Sequence, residues 1–206
     1  MKVEIRKIAV EDIDSVSELL TNSFVEDEGI VVLFKKNSPK YKYKVSQWFK
    51  ATLKMLINNN QNINCACLGD EIVGVSIVTH VSYKPSILEL LKWTYSVLMT
   101  CGMTTVAQSA KHDKNRKNSF TDNNQYILEF IAVDQTQRGK GIGKRLFSSL
   151  TDLANSENAS VWLETTKEHN VEIFNKMGYN LVDSKNELSV DYYIMTKKKV
   201  PNKMNK

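Results

Sequence analysis

Residues 126–147, with the sequence YILEFIAVDQTQRGKGIGKRLF, decide the fold that we predict for this chain. An apolar strand pattern comes first, a short polar link follows, and the stretch ends with the spacing of an amphipathic helix. Gly139, Gly141 and Gly143 are three of the chain's eight glycines, and they let the backbone bend tightly and approach a ligand closely. Four basic residues accompany them: Arg138, Lys140, Lys144 and Arg145. Because free N–H groups and the dipole at the start of a helix also attract anions, the stretch predicts a pyrophosphate site.

Two other phosphate-binding loops have different spacings. A Walker A loop requires G-x-x-x-x-G-K followed by Ser or Thr, whereas here Gly143 and Lys144 are followed by Arg145. A dinucleotide fingerprint, G-x-G-x-x-G, would need a glycine in place of Lys144. A Rossmann domain that began at residue 126 would also leave too few βαβ units. An acyl-coenzyme A loop fits the spacing better than either alternative.

The arrangement Arg138-x-x-Gly141-x-Gly143, after a strand that ends in FIAVD, resembles the acetyl-CoA motif of the GNAT superfamily of N-acetyltransferases. The resemblance extends to residues 160–179, SVWLETTKEHNVEIFNKMGY, which look like the family's next strand, its asparagine-bearing helix and its Gly-aromatic turn. The motif for the cofactor therefore covers residues 126–183.

The resemblance implies an α/β, GNAT-like fold with a central mixed, mostly antiparallel sheet of about six to seven strands flanked by helices. We expect residues 1–196 to form a single acetyltransferase domain and residues 197–206 to form a basic flexible tail. Residues 82–125 exceed what a minimal family member needs between its third and fourth strands, so we expect this insertion to form part of the acceptor pocket.

Length, charge and cysteine content limit the number of domains, the partners and the metal content that we expect for this protein. With 206 residues and 42% hydrophobic content, the chain suits one sizeable core. The formal charge of +5 equals the charge of the five lysines in the last ten residues, so residues 1–196 are formally neutral. We therefore expect no nucleic-acid partner. Without a long apolar run or a signal peptide, we expect no membrane and a cytoplasmic location. The three cysteines lack zinc spacing, so no metal is predicted.

Several segments carry weaker structural signals. Residues 26–43 look irregular, and a helix with an apolar stripe that includes Ile87, Leu90 and Leu91 is predicted after Pro85. Residues 111–124, KHDKNRKNSFTDNN, are interpreted as a mobile connection or a helix end that faces solvent.

The resemblance assigns the cofactor-binding residues. The backbone of residues 131–133, next to a splay between the strands at 126–133 and 160–165, is implied to pair with the pantetheine arm. Asn170 is implied to hydrogen-bond the same arm, although it also fits a helix cap. The backbone N–H groups of the loop are implied to hold the pyrophosphate. The cofactor-binding set is Ile131, Ala132, Val133, Arg138, Gly139, Lys140, Gly141, Ile142, Gly143, Lys144, Asn170 and Phe174.

Catalysis needs a proton acceptor and a proton donor. Glu129, on the strand of the cofactor-binding backbone, is the candidate base, with Glu164 as a second candidate; either is also consistent with a structural carboxylate. Many family members place a tyrosine four residues before the glycine of the Gly-aromatic turn, and here that position is Phe174, which has no proton to give. Tyr192, Tyr193 or water is the alternative acid. No histidine is assigned a catalytic role.

The sequence thus predicts an enzyme that moves an acetyl group from acetyl-CoA, as cosubstrate, to a primary amine by direct attack. A small-molecule acceptor is favoured because the neutral body shows no long charged face. A protein or peptide acceptor and a non-catalytic acyl-CoA-binding module remain alternatives. A monomer or a homodimer is expected.

Overall fold

A computed structural model describes residues 3–199 of the chain. Its strands are β1 (Glu4–Lys7), β2 (Asn62–Leu68), β3 (Glu71–His80), β4 (Gln125–Val133), β5 (Ser160–Thr165), β6 (Asn180–Glu187) and β7 (Val190–Lys197). Its helices are α1 (Ile13–Phe24), α2 (Glu28–Phe34), α3 (Tyr41–Asn58), α4 (Ile87–Cys101), α5 (Met103–Lys117), α6 (Ile142–Ser156) and α7 (Glu168–Lys176), with 3-10 turns at Val10–Asp12 and Gln135–Gln137.

The described strands form one seven-stranded sheet in the order β1-β2-β3-β4-β5-β7-β6. Strands β4 and β5 run parallel, and the other neighbouring strands are antiparallel. A parallel pair needs a crossover connection, which α6 supplies between β4 and β5. The predicted α/β class with a mixed, mostly antiparallel sheet is confirmed.

The parallel pair is short, and this decides where the sheet opens. Residues Gln125 to Leu128 pair with Ser160 to Leu163, and the pairing ends there although both strands continue. On the other side of β4 the register shifts, because Ile77 pairs with Phe130 whereas Val78 pairs with Leu128. Glu129 is therefore the extra residue of a β-bulge, which bends the strand away from its neighbour. The predicted splay between the two strands is confirmed.

Helices cover the two faces of the sheet and complete two cores. On one face, α1 and α3 pack on the sheet around Phe130, whose ring centroid lies 5.3 Å from those of both Phe24 and Phe49. On the other face, α6 and α7 bury Phe147, Leu150 and other apolar residues against β4 and β5. The two faces thus separate the helices that follow the glycine loop from those that come before it.

Two segments differ from the sequence expectations because tertiary contacts order them. Residues 26–43 contain the helix α2, which starts where the Asp27 side chain accepts a hydrogen bond from the Gly29 N–H (3.0 Å). For residues 111–124 the predicted helix end is confirmed as far as Lys117, where α5 ends, but His112 and Arg116 on it pair with largely buried carboxylates instead of facing solvent. Polar side chains on α5 face charged partners rather than an apolar core, so the helix lacks the apolar period that reveals most helices.

Two further corrections concern exposure and the tail. The apolar stripe predicted for α4 is largely exposed, because Ile87, Leu90 and Leu91 face outward while Val97 is buried. Lys197, assigned to the flexible tail, belongs to β7 and donates through Nζ to the Met177 carbonyl. The remaining tail prediction falls largely on residues 200–206, which lie outside the described residues. None of the helices described between residues 3 and 199 is long and apolar enough to cross a membrane.

Candidate functional site

The glycine loop between β4 and α6 adopts a backbone that favours glycine. Gly139 and Gly141 have φ values of +78° and +76°, which side-chain-bearing residues rarely adopt. A Cβ atom built at either position would meet nothing within 4 Å in the described part of the chain. The glycines are therefore required by conformation, and open space lies above the loop. Gly143 lies inside α6, where its Cβ atom would meet Val133 Cγ2 at an ordinary 3.7 Å.

The start of α6 presents donors and cations together. The first N–H groups of a helix have no partner inside the helix, and those of α6 follow directly on the loop. Ile142 anchors this end because its side chain is buried, while Arg138, Lys140 and Lys144 are exposed. Backbone donors, helix dipole and three cations in open space fit a diphosphate, as the sequence predicts.

The edge of β4 beyond Leu128 has backbone groups directed toward the opening. The N–H of Asp134 donates to the Val73 carbonyl on β3 (2.9 Å). Because backbone groups along a strand alternate in direction, those of Ile131 and Val133 point away from β3, toward the side where β5 has diverged. Ala132 lies between them and packs its side chain in the core. This free edge fits an extended ligand arm at the predicted positions.

A cavity of about 570 Å³ opens on the face of the sheet covered by α1 to α5. Seven aromatic residues contribute to its wall: Phe24, Trp48, Tyr83, Trp93, Phe120, Phe130 and Tyr192. Acidic and basic residues lie at the same wall: Asp27, His112, Asp113, Arg116, Lys117, Glu129, Glu164 and Lys167. The cavity therefore combines an apolar, aromatic surface with a group of charges near the point where β4 and β5 separate.

Glu129, the predicted base, has both carboxylate oxygens in hydrogen bonds. Its Oε2 lies 2.6 Å from Arg116 Nη1, and its Oε1 accepts a hydrogen bond from Thr79 Oγ1 (2.6 Å). The side chains of Arg116 and Glu129 are only 13% and 17% exposed. Glu129 therefore makes a largely buried ion pair with an arginine from the insertion, which is compatible with a structural role as well as with that of a base.

Glu164 extends this ion-pair group to two more strands. Its Oε1 lies 3.2 Å from His112 Nε2 and 3.4 Å from Arg116 Nε, and His112 Nδ1 lies 3.1 Å from Glu187 Oε2. Burial would raise the pKa of Glu164, but Arg116 and His112 outweigh it and hold the pKa below its ordinary value. Burial likewise disfavours the charged imidazole, yet hydrogen bonds to the two carboxylates raise the pKa of His112.

The two candidate proton donors on β7 lie on opposite faces of the sheet. Tyr192 lines the cavity, is 9% exposed, and its ring centroid lies 5.0 Å from that of His112. Burial, with the nearby charge of Glu164, raises the pKa of Tyr192. Tyr193, the next residue, points to the other face and lies outside the cavity wall formed by the described residues.

Phe174 and Asn170 occupy different parts of α7. Phe174 packs in the second core, with ring centroids 5.6 Å from Phe147 and 6.0 Å from Tyr179. Asn170 lines the cavity and donates through Nδ2 to Thr165 Oγ1 (2.9 Å). The interpretation of Asn170 as a helix cap is wrong, because α7 begins at Glu168.

The sequence analysis missed several residues of the cavity. His112 was placed in a polar connection and Arg116 was given no role, yet both enter the ion-pair group from α5. A spacing of four residues puts two side chains on one face of a helix, which is the signal that would have shown them together. Tyr83, in the loop before α4, was also missed; burial raises its pKa to about 12.

A mixed sheet with one parallel pair that separates beside a glycine loop and a helix start defines the acetyltransferase class of fold. Residues 30–179 match the model of the acetyltransferase (GNAT) family. The chain therefore belongs to the GNAT family of acetyltransferases, as the resemblance implied. No curated protein matches the chain in sequence.

Solved structures share the fold at low sequence identity. An acetyltransferase from Corynebacterium glutamicum, described as a histone acetyltransferase HPA2 and related acetyltransferase, aligns with a TM-score of 0.70 at 15% identity, over 97% of this chain and 98% of that chain. Arylalkylamine N-acetyltransferase 2 from Aedes aegypti gives 0.60 at 16%, over 96% and 99%. The PaiA N-acetyltransferase from Thermoplasma acidophilum, in complex with coenzyme A, gives 0.58 at 14%, over 96% and 99%.

Proposed function

We propose that the protein transfers an acetyl group from acetyl-CoA to a primary amine of a small molecule by direct attack. The observation that carries the proposal is the position of two carboxylates. Glu129 and Glu164 directly follow Leu128 and Leu163, the last residues through which β4 and β5 pair with each other, so both stand where the two strands part. The free edge of β4 starts at this point and leads toward the glycine loop, and both carboxylates line the cavity.

The residues that would hold acetyl-CoA fall into three groups. The backbone of residues 131–133 would take the pantetheine arm, and the N–H groups of residues 138–144 would take the diphosphate. Asn170 and Phe174 would border the arm from α7. When bound, acetyl-CoA supplies the acetyl thioester.

The proton movements are assigned to residues of the cavity. An amine must lose a proton before or during attack, and Glu129 would accept it directly or through water. Thr79 and Arg116 hold the Glu129 carboxylate in one orientation. Tyr192 lines the cavity and carries a phenolic O–H group, which would donate its proton to the departing thiolate. Tyr193 stays a less suitable donor since it lies outside the cavity wall.

The shape of the cavity supports a small acceptor. A volume of about 570 Å³ lies within the range of about 300–1,000 Å³ typical of small-molecule sites. The fold alone does not choose, since one structural neighbour is described as a histone acetyltransferase and another as an arylalkylamine N-acetyltransferase. The volume of the cavity and its aromatic wall are the features that favour a single small amine over a peptide.

The test measures thiol release from acetyl-CoA across a panel of arylalkylamines, polyamines, amino sugars, amino acids and peptides. Hydrolysis without an amine provides the background rate. We expect at least one small amine to raise thiol release well above that background. Acetylation of peptides alone would contradict the proposed acceptor and would favour a protein substrate.

A second candidate function is a non-catalytic acyl-CoA-binding module. Two observations favour it: phenylalanine stands at the position of the usual acid, and Arg116 occupies an oxygen of the candidate base. Calorimetry with coenzyme A, combined with the thiol-release assay, separates the two functions, because a binding module would bind the ligand yet release no thiol with any acceptor.

The remaining assignments are parts of the same proposal. A cytoplasmic location is proposed from the sequence. Either a monomer or a homodimer is proposed, and light scattering of the purified chain distinguishes them.

A further inference from the structure

Five large apolar residues of α4 are exposed along one side of the helix. Each is 61% to 80% exposed, and they are Ile87, Leu88, Leu91, Tyr95 and Met99. Because an α-helix has 3.6 residues per turn, the five side chains fall within about one third of its circumference. Successive turns each contribute a residue, so the surface is continuous along the helix. These five residues form the outer stripe of α4.

The opposite side of α4 already has its partners within the fold. Trp93 and Val97 project from that side; Trp93 Nε1 donates to Thr52 Oγ1 on α3 (3.0 Å), and Val97 is completely buried in the core. Cys101, at the end of α4, donates through Sγ to the Lys44 carbonyl (3.3 Å). One side of α4 is thus held against α3 while the other side is equally apolar. Since a helix that is apolar all round is normally buried all round, the outer stripe requires a further surface.

The area of the outer stripe is large for a surface that stays in water. Its five residues expose roughly 700 Å², whereas the largest apolar patch of a typical monomer is about 300–600 Å². Each partner in a standard protein–protein interface contributes about 800 Å². The outer stripe therefore supplies most of the area that a stable dimer needs from one subunit.

The charges around the outer stripe favour an uncharged partner surface. Residues 93–110 contain no Asp, Glu, Lys, Arg or His. Glu89 and Lys92, the two charged residues of α4, pair with each other, since Lys92 Nζ lies 2.6 Å from Glu89 Oε1. A nucleic acid or an anionic lipid surface is bound with the help of neighbouring cations, which the stripe lacks. A second copy of the stripe is itself apolar and uncharged, so the two copies meet without repulsion.

We infer that the protein forms a homodimer in which the outer stripe of α4 packs against the same stripe of a second copy. The contact is isologous, so a twofold axis passes near the middle of the stripe, at Leu91 and Tyr95. Every fourth residue from Ile87 to Met99 belongs to one ridge, and two such ridges interdigitate when helices cross at about −50°. The interface does not overlap the cavity, because α4 reaches the cavity with Trp93, on the side away from the stripe.

Sedimentation equilibrium of the purified chain tests the dimer. At about 10 µM protein we expect twice the chain mass of 23.5 kDa. Leu91→Glu should weaken the dimer at least about 100-fold, because two carboxylates would face each other near the axis without partners. Ile173→Glu is the matched control and should leave the dimer intact, since Ile173 is a 50% exposed apolar residue of another helix, α7. Circular dichroism shows whether both variants remain folded. A monomeric mass for the unmodified protein, or equal dissociation constants for the two variants, would overturn the inference.

New cysteines locate the twofold axis without adding a charge. The three native cysteines are buried, so an added exposed thiol reports on the interface by itself. Leu91→Cys or Tyr95→Cys should give a disulfide-linked dimer on mild oxidation, because residues beside the axis come within the Cα separation of about 7 Å that a disulfide allows. Ile173→Cys should run as a monomer in the same denaturing gel. Absence of cross-linking at both stripe positions, or equal cross-linking by Ile173→Cys, would refute the packing.

A lipid surface is the competing partner for the outer stripe. Vesicles of phosphatidylcholine and phosphatidylglycerol are sedimented with the unmodified protein and with Leu91→Glu. We expect the unmodified protein to stay in the supernatant, because the dimer buries the stripe. A monomer that pellets with the vesicles and is released by Leu91→Glu would overturn the dimer and assign the stripe to lipid. None of these measurements uses acetyl transfer, so the dimer and the proposed function can fail independently.

Discussion

Arg116 Nη1 of α5 lies 2.6 Å from Glu129 Oε2 at the bulge of β4. The insertion between β3 and β4 thus places a cation on the carboxylate that the sequence proposes as the base. Arg116 also reaches Glu164 on β5, so one side chain links the two strands at the point where they separate.

Removing this cation should destabilise the fold strongly. Arg116→Met leaves two carboxylates partly buried without their partner, and loss of one member of a buried pair costs about 3–5 kcal/mol. Urea unfolding, followed by circular dichroism, measures the change in the free energy of unfolding. The neighbouring variant Lys117→Met is the control, because its pair with Asp113 is about half exposed and contributes less than about 1 kcal/mol. An equal decrease in the free energy of unfolding in the two variants would contradict the conclusion that the Arg116 ion pair is buried and stabilising.

Gly141→Leu should abolish coenzyme A binding while the protein stays folded. The substitution strains a backbone with φ +76° and puts a side chain into the open space above the loop. Gly102→Leu is the matched control, because Gly102 has φ +95° at the α4–α5 junction and a Cβ atom there would likewise meet nothing within 4 Å in the described part of the chain. Calorimetry should show at least a tenfold weaker affinity in the loop variant only. Unchanged binding by Gly141→Leu would show that the loop assignment is wrong.

Phe174→Tyr tests the departure from the family pattern. If protonation of the departing thiolate limits the rate, a tyrosine at this position should raise thiol release, by up to about 100-fold; otherwise the rate should stay the same. Phe147→Tyr adds a hydroxyl to the same aromatic cluster from α6 and controls for altered packing. A large loss of rate in Phe174→Tyr alone would instead show that the ring contacts the cofactor or acceptor.

The His112 contacts should make stability depend on pH in one direction. The folded state raises the pKa of His112, so its stabilising contribution is complete below the unfolded value of about 6.5 and is lost as the pH rises through the folded value. His112→Gln should therefore destabilise the protein more at pH 6 than at pH 9, measured by urea unfolding.

The carboxylate partners of His112 provide the control for this pH dependence. In a Glu187→Gln background the difference between pH 6 and pH 9 should shrink, because one of the two hydrogen bonds to a carboxylate is lost. A destabilisation by His112→Gln that is the same at both pH values would refute the assigned ion pairs.

Local signals predicted much of the fold. The strand at 126–133 and the glycine loop before the amphipathic helix follow from apolar periods and glycine positions, and both lie where the sequence places them. The sequence analysis did not predict α2, because this helix is short and begins with a side-chain cap at Asp27 instead of showing a long apolar period. The sequence analysis did not predict the full length of α5, because this helix is held by ion pairs on a polar face and has no apolar period.

The candidate site likewise has one part that local sequence patterns could predict and one part that they could not. Most of the proposed cofactor residues, from Ile131 to Lys144, lie close together in the chain, so a spacing pattern could propose them. The acceptor cavity combines α3, α5, β4, β5 and β7, whose residues are far apart in sequence. Spacing carries no information about such neighbours, and for that reason Tyr83, His112 and Arg116 were not anticipated.

The sequence by itself determined the glycine loop, the order of the elements around it and the α/β class, because turns, caps and apolar periods act over a few residues. Only the tertiary structure decided that Arg116 pairs with Glu129 and that Tyr192 rather than Tyr193 faces the cavity. The physical reason is that burial, charge pairing and hydrogen-bond partners depend on which distant segments the folded chain brings into contact.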